Sequence, residues 1–176
     1  GVVGAVLVGL AIYFERYRLK RFIAFLDPWK YPSDWGFQTI QSLYALGSGG
    51  LFGMGLGRSR QKFFYLPEQH TDFIFAILGE ELGFLGTGLV LLLFFLFAWR
   101  GFRIALNAPD TFGTLLAAGI TTMIVLQAAI NIGVVSGALP VTGIPLPFIS
   151  FGGSSLLFTL TGVGLLLNIS RYSSYR

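Results

Sequence analysis

Residues 66–83 read LPEQHTDFIFAILGEELG and hold four carboxylates, Glu68, Asp72, Glu80 and Glu81, beside His70, the sole histidine of the chain. Asp72 stands where a polar stretch meets an apolar one. Two readings of it are open. A carboxylate in that place can cap the helix that follows, meeting free backbone N–H groups. It can also act as a general base, taking a proton from a hydroxyl held at the water–lipid boundary. On a helix, Asp72, Ala76, Gly79 and Gly83 share one face, with Gly86 beside it. A face of small residues admits a close neighbour, either another helix or a lipid. Glu80 and Glu81 lie about two turns further on and project roughly 100° apart. Glu80 flanks the small face and is a candidate substrate-binding group with Asp72. Glu81 points elsewhere and reads as a structural polar residue paired with another helix. His70 either hydrogen-bonds at the surface or, with Glu68 and Asp72, supplies ligands for a divalent cation such as Mg or Mn. Arg58, Arg60 and Lys62 form a small basic group upstream; they are surface charge or a clamp for pyrophosphate oxygens.

The elements that must position these groups belong to a membrane. The 176 residues are 54% hydrophobic and 11% charged, with a mean hydropathy of +0.73. A water-soluble domain carries roughly 25% charged residues. The chain therefore reads as an all-α, polytopic transmembrane helical bundle in one membrane domain, 1–176. Expected spans are 1–14, 73–99, 112–137 and 154–170. A fifth, 36–52, is irregular, because Gln38, Gln41, Ser42 and many glycines interrupt it. Residues 1–14 lack a charged leader and read as the end of a helix cut from a longer chain. Outer loops are then 53–72 and 138–153. The loops 15–35 and 100–111 and the tail 171–176 hold nine of the twelve basic residues. The positive-inside rule puts that set, with the C-terminus, in the cytoplasm and the carboxylates outside. Chemistry outside lacks cytosolic ATP and needs a substrate that is already activated.

The second outer loop, LPVTGIPLPFISFGGSS at 139–155, carries three prolines that stiffen it and Gly152-Gly153 to turn it. It can line a groove for a lipid chain or serve as a tight re-entrant connection. Gln127 and Asn131 lie four apart on one helix face and read as structural hydrogen-bonding groups between helices. There is no cysteine, so disulfides and thiolate-held metals are excluded. No phosphate-binding loop, zinc signature or Ser–His–Asp pattern occurs. The net charge of +4 is spread by loop and gives no nucleic-acid surface.

FLDPWKYP (25–32), FQTIQSLYALGSGGLFGMGLGRSRQKFFYLPEQHTDFIFAILGEELGF (37–84), NIGVVSGALPVTGIPLPFISFGGSSL (131–156) and NISRY (168–172) together resemble the SEDS family, the FtsW/RodA/SpoVE group of bacterial membrane proteins. FLDPWK and RQKFFYLPE look most similar to the FtsW/SpoVE branch. The resemblance implies the C-terminal half of a fold of about ten spans, with the sixth to tenth present and no activity in isolation. It implies a peptidoglycan glycosyltransferase that polymerises lipid II, with inversion, at the outer face of the cytoplasmic membrane during cell division or sporulation. A class B penicillin-binding transpeptidase, the growing glycan strand and divisome or sporulation proteins are the implied partners. By motif, the essential acid in HTDF falls on Asp72, the acid in LPE on Glu68, and those in GEE on Glu80 and Glu81. Division members often carry Lys in the PxxGLxLP loop; PVTGIPLP has Thr142 there, and no cation is carried over. Two alternatives stand beside the enzyme: a lipid II flippase, since broken helices and intramembrane acids suit transport, and a non-catalytic scaffold.

Overall fold

A computed structural model describes residues 16–33, 36–58 and 71–172, and these are all helix and connection, without a strand. Helix α1 spans Arg16–Leu26 and is followed by a 3-10 turn at Pro28–Lys30. Helix α2 spans Phe37–Gly49, α3 Ile74–Leu106, α4 Thr111–Val135 and α5 Gly153–Tyr172. The expected span 1–14 lies outside the described residues.

Three helices, α3, α4 and α5, are long and apolar enough to cross a bilayer. At 1.5 Å per residue, even the 20 residues of α5 reach about 30 Å, the thickness of the hydrocarbon core. Their outward faces carry exposed Leu89, Leu92, Phe95, Phe112, Leu115, Phe158 and Leu167, as lipid contact requires. The pairing of α3 with α4 follows from spacing. Gly113, Ala117, Thr121, Ile124, Ala128, Asn131 and Val135 are buried at steps of three or four, one continuous stripe of α4. Small residues let the backbones close up: any Cβ at Gly101 of α3 would overlap the Thr121 side chain. The Thr121 hydroxyl is itself satisfied within α4, donating to Ala117 O at 2.7 Å.

In place of a span over 36–52 stands α2, only 13 residues long. It reaches about 20 Å, short of the roughly 20 residues a crossing needs. It stays with the end of the bundle where α3 begins and α4 ends: Ser42 Oγ donates to Val135 O at 3.0 Å. The glycines that suggested an irregular span have a different use. At Gly83 (φ 66, ψ −162) the ladder of α3 breaks, and the glycine-rich stretch after α2 inserts into the gap. Met54 N donates to Glu80 O (2.9 Å) and Gly55 N to Glu81 O (3.1 Å), while Phe84 N donates to Gly50 O (2.9 Å) and Leu85 N to Leu51 O (3.2 Å). Two carbonyls and two amides that would bond along the helix thus bond across to 50–55 and stay paired at the break. Backbones meet this closely only without side chains: a Cβ at Gly49, Gly53 or Gly83 would overlap main-chain atoms of the other segment.

A second difference follows. Charge counting put 15–35 and 138–153 at opposite ends. Instead, Arg21 Nη1 donates to Val141 O at 3.1 Å, so α1 and the 139–150 loop share one end. The count takes 36–52 as a crossing; α2 is shorter than a crossing needs, and α1 before it stands at the same end as the 139–150 loop. The other end holds the last turn of α3 with Arg103, the short 107–110 connection and the last turn of α5 with Arg171, where Ile169 packs toward Gly113. The main core lies at the α1–α2 end, built from Ala45, Phe73, Phe75, Ala76, Ala128, Val134, Val135 and Leu146. That core is the platform for the acidic mouth.

Candidate active site

Asp72 sits in the turn 71–73 that opens α3. The capping alternative does not form: the N-cap position falls to Phe73, with no side-chain cap hydrogen bond. Phe73 is fully buried in the core, which anchors the turn and leaves Asp72 half-buried at its rim.

The backbone on both sides of the Asp72 carboxylate is tied to the 139–150 loop and to α4. Asn131 Nδ2 donates to Asp72 O at 2.7 Å and to Ile144 O at 2.8 Å. Ser150 Oγ donates to Thr71 O and accepts from Leu146 N at 2.7 Å. The loop needs such partners because Pro140, Pro145 and Pro147 cannot supply regular backbone pairing, yet their neighbours' carbonyls must be satisfied. Gln127 Nε2 meets Pro145 O at 3.0 Å, and Arg21 meets Val141 O. Gln127 and Asn131 therefore bond from helix to loop, where the sequence suggested helix to helix. Phe148, at φ 67, is the sole non-glycine residue in the left-handed region among those described. Its ring lies 6.4 Å from Phe94 and 5.9 Å from Phe97, clamping the loop onto α3.

The carboxylate itself faces this loop. Gly143 takes φ +76, and a Cβ placed there would stand 3.3 Å from Asp72 Oδ2. The loop thus packs bare backbone close against one carboxylate oxygen, where a side chain would fit only tightly.

The other candidates divide. Glu80 is 1% exposed, sealed beneath the 50–55 insertion that bonds its carbonyl. Glu81 keeps Oε1 buried without a hydrogen-bond partner among the described residues, so the expected interhelical partner is not found there. The small face of α3 is filled by protein: Ala76 is in the core, and Gly79 packs against Leu46 of α2. Arg58 is exposed just beyond the insertion, its N–H donating to Gly55 O at 3.2 Å. Arg60, Lys62, Glu68 and His70 lie outside the described residues. Among the described residues no three His, Asp or Glu side chains converge as a metal site. Arg21, Gly143 and Ser150 were missed from sequence. Arg21 had been assigned to the other end. Ser150 carried one usable signal, a hydroxyl inside a proline-rich loop whose carbonyls need donors.

The comparisons with known proteins agree with this architecture. Residues 1–175 match the family model for FtsW, RodA and SpoVE, described as "Cell cycle protein". The chain is 66% identical over 159 residues to stage V sporulation protein E of Bacillus subtilis (strain 168), covering 90% of this chain and 43% of that protein. It is 54% identical over 159 residues to a probable peptidoglycan glycosyltransferase FtsW of Geobacter sp. (strain M18), with the same coverage. It thus spans less than half the length of these relatives. Among solved structures, one chain of a peptidoglycan synthase complex, described as coordinating polymerization and crosslinking, superposes with a TM-score of 0.75 at 36% identity. That match covers 99% of this chain and 48% of the other. A rod-shape-determining RodA variant of Thermus thermophilus gives a TM-score of 0.58 at 38% identity, over 77% of this chain and 41% of the other. With the motifs, the helical bundle and the family match in agreement over nearly every residue, the chain belongs to the FtsW/RodA/SpoVE family of multi-pass membrane proteins.

Proposed function

We propose that the full-length protein polymerises lipid II into peptidoglycan glycan strands at the outer face of the cytoplasmic membrane, with Asp72 as the general base. The single observation that supports this most is the Asp72 carboxylate at the rim of the bundle, its backbone fixed on both sides and its Oδ2 facing bare backbone at Gly143. A base acts only when it is held within reach of the proton it takes. Asp72 accepts the proton of the acceptor sugar's 4-hydroxyl. That oxygen forms a bond to the anomeric carbon of the lipid-linked chain, whose bond to the diphosphate breaks, with inversion. Undecaprenyl pyrophosphate leaves with the electron pair. Its charge calls for a counter-charge, for which Arg58, Arg60 and Lys62 are the candidates in this chain. A divalent cation held by Asp72 with Glu68 would supply the same stabilisation. Such a site would have to draw on residues beyond the described ones, since those alone assemble no ligand cluster.

On this proposal the site end faces outward and the C-terminus inward, with Arg103 and Arg171 at the opposite end. Because Arg21 and the rest of α1 stand at the site end, the orientation follows from the outer-leaflet substrate and not from the count of basic residues. A class B penicillin-binding transpeptidase is the proposed partner, in line with the polymerization and crosslinking named for the similar complex. The break at Gly83 favours one rival, a lipid II flippase, because broken helices are a feature of transporters. A lipid II polymerisation assay on purified full-length protein with its transpeptidase separates the two. Asp72→Asn should abolish glycan strands while lipid II still binds. Retained polymerisation would remove Asp72 as the base, and translocation of lipid II that persists in Asp72→Asn, with no polymerase activity in the native protein, would favour a flippase acting through other residues.

A further inference from the structure

The site contains one side chain whose chemistry exceeds a packing role. Asn131 is 1% exposed in the middle of the α4 stripe that packs on α3. Both of its amide hydrogens are used on the two strands of backbone that form the site, Asp72 O at 2.7 Å and Ile144 O at 2.8 Å. Ile144 directly follows Gly143, the residue against the Asp72 carboxylate. Its own acceptor, Oδ1, is buried with no partner among the described residues. A buried polar atom without a partner is costly. An apolar residue would fill that place in the helix interface without the orphaned acceptor. What the asparagine alone provides is a pair of donors at fixed separation, which set the Asp72 turn and the Gly143 loop at one spacing.

We propose that Asn131 is a positioning residue for the reaction: it locks the Asp72 turn to the Gly143-Ile144 loop, and so sets the direction from which the Asp72 carboxylate meets the hydroxyl it deprotonates. The inference rests on Asp72 being the base. Asn131 does not touch substrate. Gln127 and Arg21 hold the same loop at Pro145 and Val141, while Asn131 and, one residue before Asp72, Ser150 join that loop to the Asp72 turn.

The test uses full-length protein with its transpeptidase and the lipid-linked disaccharide, with rates expressed per folded molecule. Asn131→Ala should lower kcat by about 10- to 100-fold, the scale of a misplacement near 1 Å. KM should stay within about threefold, because no substrate contact is lost. Asn131→Asp keeps the volume and makes the signature sharper. As a neutral acid it donates one hydrogen bond; as a carboxylate it donates none and faces two carbonyl oxygens. Its activity should therefore fall as pH rises, adding a limb that the native pH profile lacks. If Asn131→Ala does not fold, the Asp variant carries the test alone. Unchanged kcat and pH profile in these variants, or a loss that follows the folded fraction alone, overturns the inference. Asp72→Asn runs in parallel. Activity retained there removes the base and this inference with it, whereas an inactive Asp72→Asn beside normal Asn131 variants removes the positioning role only.

Discussion

At the scale of residues, the site is a set of main-chain positions held by side chains rather than a cluster of reactive groups. Asp72 is the one proposed reactive side chain, and Asp72→Asn should reduce glycan polymerisation by about 10²- to 10⁴-fold, the usual weight of a general base. The neighbouring glycine gives a finer probe. Gly143→Ala forces an L side chain into the left-handed region, at about 1–2 kcal/mol, and brings a methyl group to 3.3 Å from Asp72 Oδ2. It should lower activity more than stability, measured as turnover beside the melting temperature of the same preparation. A stability loss with full turnover per folded molecule would separate Gly143 from the site. Asp72 itself was legible from its place between polar and apolar runs. The groups that hold the turn and the loop beside it were not, because Asn131, Ser150 and Arg21 come from sequence positions 59 to 120 residues from Asp72 O, Thr71 O and Val141 O.

Elements explain the glycines. The stretch GSGGLFGMGLG looked like a defect in a span, and the period of its apolar residues cannot say that it is a plug for a broken helix. Only the matched gap at Gly83 shows that, through four hydrogen bonds that take the place of two rungs of the helix ladder. Gly53→Ala should destabilise the protein by at least about 1 kcal/mol, since its φ is positive and the added methyl meets Glu81 O. Gly88→Ala lies in the same helix with open space around it and should be neutral or stabilising by up to about 1 kcal/mol. Melting of the detergent-solubilised full-length variants tests the contrast; equal effects at 53 and 88 would mean that the insertion is absent in the membrane.

For the whole molecule, the outcome that matters is which segments share an end. Because the chain has no cysteine, single cysteines in this half report topology directly once any in the remainder are removed. Lys30→Cys and Thr142→Cys should react with an impermeant thiol reagent from the same side of the membrane, and Pro109→Cys from the other. Opposite reactivity at 30 and 142 would restore a crossing at 36–52 and break the Arg21–Val141 contact.

Sequence alone determined the membrane class, the helical bundle, the three long spans near their observed places and the carboxylate at the head of the second apolar run. These follow from local quantities: hydropathy over a window, helical spacing and a polar–apolar boundary. It did not determine that 36–52 holds a helix of only 13 residues, that the break in α3 receives a glycine-rich insertion, or that Arg21 stands with the proline-rich loop. Each of those depends on a backbone group finding a partner far along the chain, and such pairing leaves no period in the sequence. Tertiary packing decided them, since a helix can break inside a membrane only where another segment is present to take up its unpaired amides and carbonyls.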